Sequence, residues 1–188
     1  INFWNKDYWI LYGSCLAEPR DPEIFEAPLK IMVRQTSDKI IATLATRGFY
    51  ARNNLHIILP QDKNYDLSYI LGVINSKLID FAYTLMNPEK GEALAEVKKY
   101  HVEQLPIRPI DLKNKTDKSL HDKMVSLVDN MLELNKKLPS VKTPHERELL
   151  ERRIKITDNQ IDRLVYELYA LTEEEIKVVE GGRQHGAK

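Results

Sequence analysis

Arg34-Gln35-Thr36-Ser37 and Arg52-Asn53-Asn54 are the two clusters in this sequence whose side chains could do chemistry together. Arginine can pair bidentately with the guanine edge, asparagine and glutamine with the adenine edge, and serine and threonine hydroxyls with base or phosphate. Both clusters fall in the stretch 28–60, where Lys30, Arg34, Lys39, Arg47 and Arg52 face a single acid, Asp38. That is the composition of a local nucleic-acid-reading surface. It is equally the composition of a half-buried sheet with a solvated outer face. Lys30, Lys39, Arg47, Lys77, Lys90, Lys98 and Lys99 are the candidates for phosphate contacts, which fix register without reading sequence. Tyr50 and Asn75 complete the set of candidate contacts.

Catalytic signatures are missing from the sequence. There is no G-x-G-x-x-G, no P-loop and no Asn-Pro-Pro-aromatic run; Asn87-Pro88-Glu89 shares only its first two letters. The histidines at 56, 101, 121, 145 and 185 lack metal-ligand spacing, and Ser14 and Ser76 sit in no nucleophile elbow. Asp80 with Glu96-Val97-Lys98 has the acid…Glu-x-Lys order of a metal-dependent nuclease. Asp80, however, falls late on an amphipathic helix, where such sites seldom place that acid. The lone Cys15 can form neither an internal disulfide nor a cysteine zinc site, which fits a reducing cytoplasm. No apolar run is long enough for a membrane span. With 28 basic and 28 acidic residues the net charge is zero, so any attraction to nucleic acid must be local.

The elements that would hold these groups follow from periodicity. Strands are expected at 30–33, 39–44 and 55–59, with Gly48 as a turn residue before Phe49-Tyr50-Ala51 and Pro60 as a stop. Asp66 opens a helix over 66–86, with Leu67, Ile70, Leu71, Ile74, Leu78, Phe81 and Leu85 on one face. The segment 96–110 alternates and is expected to return to the sheet, and the loop from Gly91 to Lys99 lies beside the recognition surface. Beyond Ile110 the chain is charged and helical, with no aromatic residue until Tyr166. Leu120, Met124, Leu127, Met131, Leu134 and Leu138 form one coiled-coil seam, and Leu150, Ile154, Thr157, Ile161, Leu164, Leu168 and Leu171 a second. Thr143, Pro144 and Glu146 supply a helix start between them, so the seams zip as an antiparallel hairpin. Thr172 and Glu175 start one more short helix. The fold expected is α/β (α+β): a small, mainly antiparallel sheet with a packed helix over residues 1–110, then a long-helix hairpin over 111–188. The opening INFWNKDYWILYG reads as mid-domain sequence, which suggests the C-terminal piece of a larger polypeptide.

The ordered motifs KIMVRQTSDKIIATL, NNLHIILP, YILGVINSKLIDFAY and EVKKYHVEQLPI, followed by LVDNMLELNKKL, TPHERELLERRI and QIDRLVYELYALTEEEIKVVEG, resemble the TaqI-like C-terminal specificity domain. The resemblance implies the target-recognition region of a restriction–modification enzyme, in particular the end of a type IIG enzyme. It implies double-stranded DNA as the ligand, and methyltransferase and endonuclease modules upstream in the same polypeptide. S-adenosylmethionine and magnesium would belong to those modules, and no cofactor to these residues. No catalytic residue carries over. The rival reading is a protein-interaction module, a homodimer formed by the two seams pairing between chains, with Thr157 setting the register.

Overall fold

The structure, a computed structural model, describes residues 12–60, 66–87 and 95–181. Three apolar runs form an antiparallel sheet: β1 (Leu29–Arg34) lies between β2 (Ala42–Thr46) and β3 (Leu55–Ile58). Val33 pairs with Ala42 and Leu29 with Thr46 on one side of β1, Ile31 with Ile58 and Arg34 with Leu55 on the other. Side chains alternate between faces along a strand. Ile31 and Val33 turn to the helices, where they join Ala42, Leu44 and Ile58 in the main core. Lys30 and Met32 turn the other way and are buried too. That second face is covered by the segment that includes α1 (Pro22–Glu26), whose fully buried Phe25 stacks on Tyr50 at 4.6 Å and meets Tyr12 edge-on at 5.6 Å. A solvated outer face at β1, the plainer expectation from composition, is therefore not what forms.

The helix expected over 66–86 is two helices. α2 (Leu67–Ile74) begins at Asp66, whose carboxylate accepts from the Ser68 and Tyr69 amides. It stops at Asn75, and Ser76 opens α3 (Lys77–Met86) by accepting from the Ile79 amide at 3.4 Å. Asparagine and serine bond to backbone groups and so favour helix ends over helix interiors. The apolar spacing continues through the break, which hides it from periodicity. β2 begins at Ala42, three residues later than expected, because residues 35–41 leave the sheet as a turn. The stretch after residue 95 returns to the strands only through one bridge, Thr36 to Glu96, and then forms α4 (Lys99–Glu103).

α5 (Lys115–Lys137) and α6 (Pro144–Leu168) pack against each other, joined by a short 3-10 turn (Leu138–Ser140). The α6 start is the one expected: the Thr143 hydroxyl accepts from the Glu146 amide at 3.2 Å and bonds the Glu146 carboxylate at 2.8 Å. Met124, Leu134, Leu150, Thr157, Ile161, Leu164 and Leu168 of the two seams are buried within the one chain. Thr157, the polar seam residue, donates to the Arg153 carbonyl at 3.0 Å and accepts from Asn130 at 3.2 Å. α5 also lies on α2, so close that a Cβ on Gly72 would sit 2.5 Å from Met124 Sδ and 2.9 Å from Val128 Cγ2. One apolar cluster thus runs from Ile31 and Val33 through α2 and α3 to Leu164 and Leu168. α7 (Glu173–Gly181) closes the described chain, opened by Thr172 and Glu175 bonding reciprocally. No helix among the described residues is long and apolar enough to cross a membrane.

Candidate nucleic-acid interface

Three polar segments converge where Arg34 leaves β1. The Gln35 amide donates to the Asn54 carbonyl at 3.0 Å, which brings the Arg52-Asn53-Asn54 turn alongside. The Val97 amide donates to Gln35 at 2.7 Å and the Ser37 amide to Ala95 at 3.1 Å. Those two bonds bracket the bridge between Thr36 and Glu96, so residues 35–37 and 95–97 form a short two-stranded ribbon at the end of β1. Beside it lies a cleft of about 390 Å³ lined by Arg34, Thr36, Ser37, Asp38, Lys39, Ile41 and Ala95.

The ribbon is held from beneath. His56 Nε2 lies 2.6 Å from the Val97 carbonyl oxygen, which can only accept, so that ring nitrogen carries a proton. The Tyr83 hydroxyl donates to the Glu96 carbonyl at 3.2 Å and accepts from Asn87 Nδ2. Tyr83, Asn87 and His101 are all buried, the His101 ring meeting Tyr83 edge-on at 5.4 Å. His56, Tyr83 and Asn87 were not singled out as site residues by sequence reasoning. His56 and Tyr83 reach backbone carbonyls 41 and 13 residues away, and Asn87 bonds the Tyr83 hydroxyl, so residue type alone carries no signal for their roles.

The candidate contacts divide by whether their side chains already have partners. Arg34, Gln35, Thr36, Lys39, Arg52, Asn53 and Asn54 make no side-chain hydrogen bond or ion pair among the described residues. All of them lie at this end of the sheet. Ser37 accepts from the Lys39 amide at 3.3 Å and shapes the turn. Lys98 stands half-buried next to the ribbon, and Lys99 pairs with Glu103 one turn along α4 at 3.3 Å. Lys90 lies outside the described residues.

The others are engaged elsewhere. Lys30 is fully buried on the covered face of β1, its Nζ donating to the Phe25 carbonyl at 2.8 Å and the Thr46 carbonyl at 2.7 Å. It cannot reach a phosphate without breaking both bonds. Arg47 is at the far end of the sheet, where Nε donates to the Glu26 carbonyl at 3.1 Å. Tyr50 donates to the Glu26 carboxylate at 3.1 Å, a bond that raises its hydroxyl pKa. Asn75 behaves as a strand residue: its amide accepts from the Ala42 N–H at 2.9 Å and donates to the Ala42 carbonyl at 3.0 Å, closing the outer edge of β2. Lys77 is an internal tie. Its Nζ meets Asp162 at 2.9 Å and Glu180 at 3.6 Å, and its backbone N–H donates to Asp162 at 2.8 Å. Asp80 lies on α3, and the described residues hold no group of three or more His, Cys, Asp or Glu placed for a metal ion.

Residues 2–107 match the profile of the TaqI-like C-terminal specificity domain. The chain belongs to that family. The matched span takes in the whole sheet, α2, α3 and α4, and ends before α5. A search of curated proteins returns no significant match. In this specificity domain the candidate contacts that have no side-chain partner among the described residues lie inside the family's span, and the helical hairpin follows it.

Proposed function

We propose that this specificity domain reads double-stranded DNA for a restriction–modification enzyme through the sheet end that carries the 34–39 turn, the 52–54 turn and the 95–98 segment. The observation that carries the reading is the segregation of partners. Arg34, Gln35, Thr36, Lys39, Arg52, Asn53 and Asn54 at one end of the sheet have no side-chain hydrogen bond or ion pair among the described residues, while the candidates Lys30, Arg47, Tyr50, Asn75 and Lys77 are bonded within the protein. Net charge is zero, so binding rests on this local patch and falls steeply with salt. Lys39, Lys98 and Lys99 serve phosphates. In this reading Arg34, Thr36, Arg52, Asn53 and Asn54 contact base edges.

Bond making belongs to methyltransferase and endonuclease modules of the same polypeptide, with S-adenosylmethionine and magnesium held there. The target base is flipped into the methyltransferase, not into these residues. The hairpin, with arms of 23 and 25 residues, is about 35 Å long at 1.5 Å per residue and acts as a rigid arm between reader and catalyst.

The test is Arg34→Ala with Arg52→Ala, set against Arg47→Ala at the far end of the sheet. The double variant is expected to weaken DNA binding and to relax or abolish site choice in methylation by the complete enzyme. Arg47→Ala is expected to leave both within about twofold, as a surface change tied only to Glu26. Equal effects of the two sets on affinity, salt slope and site choice would sink the assignment of this end of the sheet.

A further inference from the structure

We propose that Glu96 is a specificity-determining residue that accepts a hydrogen bond from an exocyclic base amino group in the DNA major groove. This rests on the DNA-reading function above and assigns it a residue of the opposite charge from the rest of the patch. The bonds from Val97 N to Gln35 O and from Ser37 N to Ala95 O make Thr36 and Glu96 a non-hydrogen-bonded antiparallel pair. Paired residues of that kind put their side chains on the same face and close together. The opposite face of the ribbon carries Ala95 and Val97, which are 3% and 0% exposed. Thr36 and Glu96 consequently turn away from the core.

The Glu96 carboxylate makes no hydrogen bond or ion pair among the described residues, although Arg34 and Lys39 line the cleft beside the ribbon. A half-exposed carboxylate in such a patch repels phosphate, so it weakens general DNA binding. It favours binding only where it meets a donor. In the major groove the base donors are cytosine N4 and adenine N6, and a carboxylate pairs with the cytosine amino group. The groove is about 12 Å wide and admits a two-stranded ribbon. The backbone that carries Glu96 is fixed by Tyr83 at its own carbonyl and by His56 at the next one. A contact placed that firmly discriminates between bases better than one on a free loop.

The decisive experiment selects bound duplexes from a randomised library with the complete polypeptide that carries residues 1–188, as wild type, Glu96→Ala and Glu96→Gln. Thermal melting and affinity for a non-cognate duplex are measured alongside. Wild type is expected to require cytosine at one position, the base whose amino group a carboxylate accepts from. Glu96→Ala should lose about tenfold discrimination at that position, with the rest of the motif intact and non-cognate affinity unchanged or raised. Glu96→Gln, which offers a donor as well as an acceptor, should shift the preference toward adenine. If Glu96→Ala does not fold, the near-isosteric Gln variant decides. Wild-type discrimination at every position in the Gln variant, or a uniform loss across the motif, overturns the proposal. Wild type that enriches no motif would instead overturn the DNA-reading function on which it rests.

Discussion

Lys30 and Lys39 lie nine residues apart in the same basic stretch, and the fold gives them opposite roles. Lys39 follows a turn and keeps its ammonium in solvent. Lys30 lies on the central strand, on the face closed by Phe25, where its ammonium joins two backbone carbonyls. Burying a charge is unfavourable, and two charge-assisted bonds offset part of that. Lys30→Met keeps the apolar stem but leaves the Phe25 and Thr46 carbonyls without their donor. We expect a loss of about 1–3 kcal/mol in urea unfolding, with an unchanged salt slope for DNA binding. An increase in stability would show that desolvation of the ammonium outweighs its bonds. The sequence displayed every donor in this region but not its partner. Asn75 closes on Ala42, and Lys77 on Asp162, across 33 and 85 residues. Only the folded chain distinguishes such internal ties from side chains left for a ligand. Arg34 and Arg52 kept their place in the candidate site because neither forms an ion pair among the described residues, which composition could not have told.

At the scale of elements, legibility followed how local the cause was. The start of α6 could be read from Thr143, Pro144 and Glu146 because a capping box closes within four residues. The three strands could be read from their apolar runs, and the seams from their spacing. The break between α2 and α3 could not, because Ile74 and Leu78 keep the helical spacing while Asn75 and Ser76 between them end one helix and begin the next. The contact that matters most for the hairpin is also non-local. Gly72 lets α2 approach α5 until there is no room for a Cβ beside Met124 and Val128. Gly72→Ala would improve helix propensity by about 1 kcal/mol. Against that, Val128 is stiff at χ1 and Met124 is fully buried, so neither can yield freely. Overpacking of this kind costs about 1–3 kcal/mol, and the larger effect should win. We expect Gly72→Ala to lower the unfolding midpoint, and Met124→Ala in the same chain to recover part of the loss beyond additivity. Additive effects in that double-mutant cycle would remove the clash as the cause.

For the whole molecule, the angle between sheet and hairpin depends on how the crossing segment at 106–111 is held. Tyr69 of α2 donates to the Arg108 carbonyl at 2.9 Å, and Tyr169, just past α6, donates to the Pro106 carbonyl at 2.5 Å and accepts from the Arg108 amide at 3.0 Å. The Arg108 guanidinium then pairs with Asp117 in the first turn of α5 at 2.9 Å, holding that carboxyl below its ordinary range. Two phenols and one ion pair thus tie α2, α5 and α6 to a single stretch of backbone. Burial pushes the Tyr69 hydroxyl up to about 12 and raises Tyr169 as well. A phenol whose folded-state pKa exceeds its unfolded value of 10.0 stabilises the fold fully below pH 10. Its contribution is lost as pH rises through the folded value, because the unfolded chain releases the proton first. Stability should therefore fall across the window from about pH 10 to 12. Tyr69→Phe removes the titrating group together with the bond to Arg108. We expect it to lose about 1 kcal/mol at neutral pH and to decline less steeply than wild type above pH 10. Melting temperatures across pH 7–12 separate the two effects. Parallel alkaline limbs in wild type and Tyr69→Phe would mean that Tyr69 does not titrate with folding, and that another group carries the alkaline sensitivity of the clamp.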